Sequence, residues 1–185
     1  VGELLETLEE CGLAEDTVVL FLSDHGDMLG ERLMIQKRAF YEHSARIPLL
    51  VRAPGKFAAG SRVPEPVSML DLPATVLGLA GLDPGVAEGD GSSLVRLMDG
   101  ERDPERTVFA EYHGEGVLMT NAMVRRGRYK LMESNGFPAR LYDLANDPGE
   151  WQDLADDPAH AAVRAELQAA LRETFDLAAL EEEVQ

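Results

Sequence analysis

Residues 17–30 read Thr-Val-Val-Leu-Phe-Leu-Ser-Asp-His-Gly-Asp-Met-Leu-Gly. The apolar run from Thr17 to Leu22 stops abruptly at Ser23, Asp24, His25 and Gly26. A Val- and Leu-rich run of that length suits a buried strand covered on both faces. In open α/β sheets, ligands bind beyond the carboxyl ends of the strands. A carboxylate followed directly by an imidazole at such a place is a natural pair of metal ligands. Asp-His-Gly after a strand also reads as an ordinary turn, so the residues around it have to decide.

Upstream, Val1, Leu4, Leu5 and Leu8 share one face at helical spacing with Glu on the other, and Gly12 suits a helix stop, so residues 1–12 read as helix. A helix feeding a buried strand looks like the second half of a βαβ unit. The chain is therefore expected to be the C-terminal piece of a longer protein. Its single cysteine, Cys11, near the end of that helix, reads as a small buried apolar residue. It leaves no internal disulfide framework.

With 45% hydrophobic residues, the 185-residue chain can bury a real core, as one domain or one domain plus part of another. No apolar stretch is long enough to span a bilayer. The net charge of −17, from 34 acidic and 17 basic residues, makes nucleic acid and anionic membranes poor partners. A cationic substrate group would suit such a field.

Further along, residues 23–38 read as a long polar loop and 39–45 as a short helix. Ile47–Val51 reads as a second buried strand ended by Pro54-Gly55. Asp71 is placed to cap a helix running to about Ala80 and closed by Gly81. The Gly-, Pro- and Asp-rich stretch from Asp83 to Arg106 reads as connecting loop with one short helix at Leu94–Met98. From Thr107 the texture changes to short strands, Thr107–Tyr112, Ala122–Arg126, Tyr129–Met132 and Leu141–Tyr142, with a tight turn at Arg126-Gly-Arg128. A helix from Pro158 to Leu177 follows. Its stripe of Val163, Leu167, Leu171 and Phe175 should cover one face of the sheet.

After the strand end come Met28-Leu-Gly-Glu-Arg, Lys37, and Phe40-Tyr-Glu-His-Ser-Ala-Arg-Ile-Pro-Leu-Leu-Val-Arg-Ala-Pro-Gly55. In order and spacing this resembles the sulfatases of the alkaline phosphatase superfamily over roughly forty residues, and the choline-sulfatase-like group most. The later Glu111-Tyr-His-Gly-Glu-Gly116, Arg125-Arg-Gly-Arg-Tyr-Lys130 and Leu141-Tyr-Asp-Leu…Asp147-Pro-Gly-Glu-Trp-Gln-Asp-Leu154 fit it too, with Asp153 where Asn is usual. The resemblance implies an α/β fold, α+β in its C-terminal part. This would be the C-terminal piece of an alkaline-phosphatase-like α/β sandwich (residues 1–104) plus a small antiparallel sheet covered by a C-terminal helix (residues 105–185).

It further implies a metal-dependent hydrolase of small sulfate esters, choline sulfate among them. A formylglycine nucleophile would lie in a Cys/Ser-x-Pro-x-Arg motif upstream, and Cys11 is not in such a motif. The isolated chain is then expected to be inactive, its partner being the remainder of the catalytic domain. Choline-sulfatase-like proteins are often cytoplasmic and homo-oligomeric, and the resemblance leans the same way here.

The candidate residues follow. Asp24 and His25 would ligate a divalent metal. The resemblance favours calcium, while an oxygen–nitrogen pair suits manganese as well. Asp27 could orient His25 through its other ring nitrogen. Lys37 would contact sulfate as a point charge on the leaving-group side, the alternative being a solvated surface lysine. The Gly and Trp that usually precede that lysine are replaced here by Leu33-Met-Ile-Gln36. His113, at a strand end, could reach the substrate or be a turn histidine. Glu42 and Arg46 read as a structural ion pair, His43 as a packing residue, Trp151 as a core or interface anchor, and His160 as exposed. A phosphonate monoester hydrolase or phosphodiesterase, and a non-catalytic module, are the competing functions.

Overall fold

The computed structural model describes residues 1–87, 89–114 and 117–184; Glu115 and Gly116 of the Glu111–Gly116 motif lie outside the described residues. In chain order they form α1 (Gly2–Glu10), β1 (Val19–Leu22), β2 (Met28–Leu29), β3 (Ile35–Gln36), α2 (Glu42–Ala45), β4 (Leu49–Arg52), α3 (Leu72–Leu79) and α4 (Val95–Met98). Then follow β5 (Thr107–Tyr112), β6 (Asn121–Arg126), β7 (Tyr129–Ser134), β8 (Arg140–Asp143), α5 (Ala161–Thr174) and α6 (Leu177–Val184). Two compact units arise, Val1–Asp24 with Pro48–Arg102, and His25–Ile47 with Asp103–Gln185.

In the first unit, α1 ends as its glycine predicts. Gly12, at φ 68°, donates to the Glu9 carbonyl at 3.0 Å, and Leu13 donates to the Leu8 carbonyl at 2.9 Å. This is the paired closure that a left-handed residue after a helix permits. Cys11 is exposed rather than buried, because α1 buries no residue. β1 pairs antiparallel with β4, Leu20 opposite Val51 and Phe21 opposite Leu50. Among the described residues the expected cover on both faces is not there. Alternation puts Phe21 and Leu50 on one face, and they are 41% and 60% exposed.

Asp71 does not cap α3 with its side chain. Its carboxylate accepts from the Ser68 amide at 2.8 Å, in a reciprocal capping box for the preceding turn, and from the Ser92 amide at 2.9 Å. Thr75 does the tying instead: its hydroxyl donates to the Asp71 carbonyl at 2.7 Å and accepts from the Leu94 amide at 2.9 Å.

The second unit is built on a four-stranded antiparallel sheet in the order β5-β6-β7-β8. Period-two alternation sends Ala122, Val124, Leu131 and Leu141 to one face, where they pack with Leu167 and Leu171 of α5 and with Val163 and Phe175. The expected helical stripe therefore covers this face. The helix itself is shorter than expected. Phe175 turns extended, and Asp176 restarts the chain as α6 by accepting the Ala178 and Ala179 amides at 3.1 Å. The opposite face carries Tyr142 and Met132, packed with Met28, Tyr41, Met34 and Ala39 of the 25–47 segment. Beyond β8, Asp153 accepts the Leu141 and Ala155 amides at 3.1 and 3.0 Å, so the departure from Asn keeps an oxygen acceptor there.

Candidate active site

The 25–47 segment is less loop-like than its composition reads. β2 and β3 pair as a hairpin, Met28 opposite Gln36 and Leu29 opposite Ile35. Arg32, Leu33 and Gln36 hold left-handed backbone, at φ 55°, 59° and 67°. Each such residue costs on the order of 1 kcal/mol and persists only where its surroundings enforce it.

Gly26 fixes the first part. Its amide donates to the Ser44 carbonyl at 2.9 Å. A side chain there would put a carbon 2.1 Å from the His43 carbonyl oxygen, so the strand-end loop can meet α2 only through glycine. The Gly26 carbonyl lies 2.8 Å from His25 Nδ1. A carbonyl only accepts, so Nδ1 is the donor to it. The orienting partner of Nδ1 is thus this carbonyl and not Asp27.

His25, Asp27, Gln36, Lys37, Arg38 and Tyr112 line a cavity of about 290 Å³. Two cations and an imidazole face one carboxylate there, a balance suited to a small anion. The structure thus brings His25 and Lys37 together, and adds Arg38 and Tyr112, which sequence reading had not singled out. Basic Lys37-Arg38 in tandem after the strand-end loop was the available signal. Asp24 is exposed and ends the first unit, one peptide bond before His25. His113 is half-buried at the end of β5, beside Tyr112 but outside the cavity lining. Its Nε2 is 4.0 Å from Glu111, and its Nδ1 is buried without a hydrogen-bond partner among the described residues.

Several expected side-chain roles change. Glu42 pairs with Lys130 at 2.7 Å and Arg125 at 3.7 Å rather than with Arg46, because it faces the sheet at the start of α2. His43 is exposed and contributes its carbonyl to the contact with Gly26. Trp151 is 73% exposed and stacks 5.0 Å from the Arg32 guanidinium. His160 is partly covered, bonded to Asp157 at 2.9 Å and edge-on to Tyr129. Lys130 and Glu150, given no role in the sequence reading, are both 1% exposed and 2.6 Å apart. A lysine inside an apolar strand was the signal for them.

The donors present fit a divalent cation only in part. Asp24 and His25 offer one oxygen and one nitrogen. Among the described residues no three His, Cys, Asp or Glu side chains gather into a metal-holding group.

The sequence profile of a family described as "N-sulphoglucosamine sulphohydrolase, C-terminal" matches residues 30–176. The chain belongs to this sulfatase family. It is 39% identical over 171 residues to a choline-sulfatase of Rhizobium meliloti (strain 1021), a match covering 91% of this chain and 33% of that protein. Among solved structures, one protein in complex with its substrate D-glucosamine-2-N,6-O-disulfate superposes with a TM-score of 0.78 at 27% identity, over 94% of this chain and 37% of that one. The phosphonate monoester hydrolase of Agrobacterium radiobacter superposes at 0.77 and 32% identity, over 94% and 38%. The chain spans about a third of the length of the curated relatives it matches. The sulfatase neighbours share the alkaline-phosphatase-like fold expected from the strand-end motif. No helix among the described residues is long and apolar enough to cross a membrane.

Proposed function

We propose that this chain is the C-terminal part of a sulfatase that hydrolyses a small sulfate ester, with choline sulfate the first candidate. The observation that carries the reading is the cavity joining His25 to Lys37 and Arg38, directly after the Asp24-His25 pair, in a member of a sulfatase family. Asp24 and His25 would hold a divalent cation, calcium or manganese, which supplies neutralisation of charge on the ester oxygens. Lys37 places a fixed positive charge where the leaving oxygen becomes anionic. Tyr112 and Arg38 line the same cavity, and His113, next in sequence to Tyr112, would be a further substrate contact.

The nucleophile, a formylglycine, would come from residues outside this chain, so the chain by itself hydrolyses nothing. The open Phe21–Leu50 face supports a larger catalytic domain as its cover. The net charge of −17 supports a cationic ester such as choline sulfate.

The second reading, a phosphonate monoester hydrolase, rests on the Asp-His pair and on the 32% identical phosphonate monoester hydrolase. The test is sulfate release from choline sulfate by the full-length gene product, run beside a phosphonate monoester. Sulfate release is expected. Turnover of the phosphonate alone moves the assignment to the second reading, and turnover of neither overturns both.

A further inference from the structure

Lys37 lies midway along a strained segment, and both ends of that segment are gripped by one short turn of the C-terminal part. At the near end, Arg32 donates from Nη2 to the Gly149 carbonyl at 3.1 Å and to the Glu150 carbonyl. Its guanidinium sits 4.1 Å from the Tyr41 ring, 5.0 Å from Trp151 and 5.9 Å from Tyr142, a stacked arrangement that attracts a cation. At the far end, the Glu150 carboxylate accepts the Glu42 amide at 2.7 Å, at the start of α2. The same carboxylate meets Lys130, whose ammonium also donates to Glu42 at 2.7 Å and to the Phe40 carbonyl at 2.8 Å.

Glu150 itself is left-handed, at φ 57°. That conformation lets its carbonyl face Arg32 while its side chain faces Glu42. A buried ion cluster is weak as a source of stability, but it restricts geometry strongly.

We infer that Glu150 and Arg32 are positioning residues that clamp the 32–42 segment at its two ends and so set the place of Lys37. This rests on the reading of Lys37 as the sulfate contact, and the experiment separates the two. In the full-length gene product, Glu150→Gln and Arg32→Ala are compared with the parent by amide hydrogen exchange. The Met34 amide, which bonds the Glu31 carbonyl, and the Ser44 amide, which bonds the Tyr41 carbonyl, report on the segment. The expected result is exchange faster by about tenfold there, with β6 and β7 unchanged. Arg32→Ala leaves the buried cluster intact, so it stays informative if the Glu150 variant does not fold. Unchanged segment protection overturns the clamp, and so does loosening of segment and sheet together.

Activity gives the second arm. If the clamp acts through Lys37, the loss caused by Lys37→Ala shrinks toward onefold in the Arg32→Ala background; losses that simply multiply overturn that link. If Lys37→Ala alone leaves sulfate release within a few-fold, the sulfate role of Lys37 fails, and hydrogen exchange still decides the clamp.

Discussion

Gly26 does three things at once: it ends the Asp24-His25-Gly26 motif, packs against the His43 carbonyl of α2, and holds the His25 ring by its carbonyl. Gly26→Ala forces a carbon against the His43 carbonyl and is expected to lower stability by about 2 kcal/mol, read as a lower Tm. A second residue-scale prediction concerns Asp143. Burial alone pushes its carboxyl up. The hydrogen bond from Arg128, the Ala145 amide and the Arg128 charge outweigh that and hold it below its ordinary value of 3.8. A folded value below the unfolded one means the carboxylate's contribution is present above about pH 4 and is lost as pH falls through the folded value. Asp143→Asn should therefore flatten the acid limb of the stability curve and leave stability near neutral pH lower, by about 1 kcal/mol. Denaturant titrations across the acid range check this. At this scale the sequence exposed Asp24 and His25, because polar groups at the end of an apolar run are conspicuous, whereas Lys37 was singled out by the resemblance to the sulfatases. The pairing of Lys130 with Glu150 escaped notice because they are twenty residues apart and nothing local joins them.

Among the elements, α5 and the β5–β8 sheet were legible because their apolar periods, 3.6 and 2, run long enough to register. Leu167 is 1% exposed between helix and sheet. Leu167→Ala leaves a cavity there and is expected to cost about 3 kcal/mol, with an unchanged denaturant slope in urea. The β2–β3 hairpin was not legible, since two-residue strands carry no period and their turn puts Arg32 and Leu33, as well as Gly30, at positive φ. The break between α5 and α6 was also hidden. Phe175 continues the apolar stripe that a single helix would show, whereas Asp176 captures the next amides.

For the molecule as a whole, the metal proposal predicts that chelation of the full-length product abolishes sulfate release and lowers Tm. Calcium or manganese should restore both, since a ligand that binds only the folded state stabilises it. Persistence of full activity after exhaustive chelation, confirmed by metal analysis, would remove the metal role of Asp24 and His25. The sequence alone determined the strand-end Asp-His pair, the sheet-and-helix C-terminal part and the family, because these rest on local period and on residues in fixed order. Only the tertiary structure decided that the 25–47 segment lies on the sheet face opposite α5, with Arg32 and Glu42 both bound to the Gly149–Glu150 turn. Those contacts join residues about a hundred positions apart, and a buried charge is placed by the partners it finds in space.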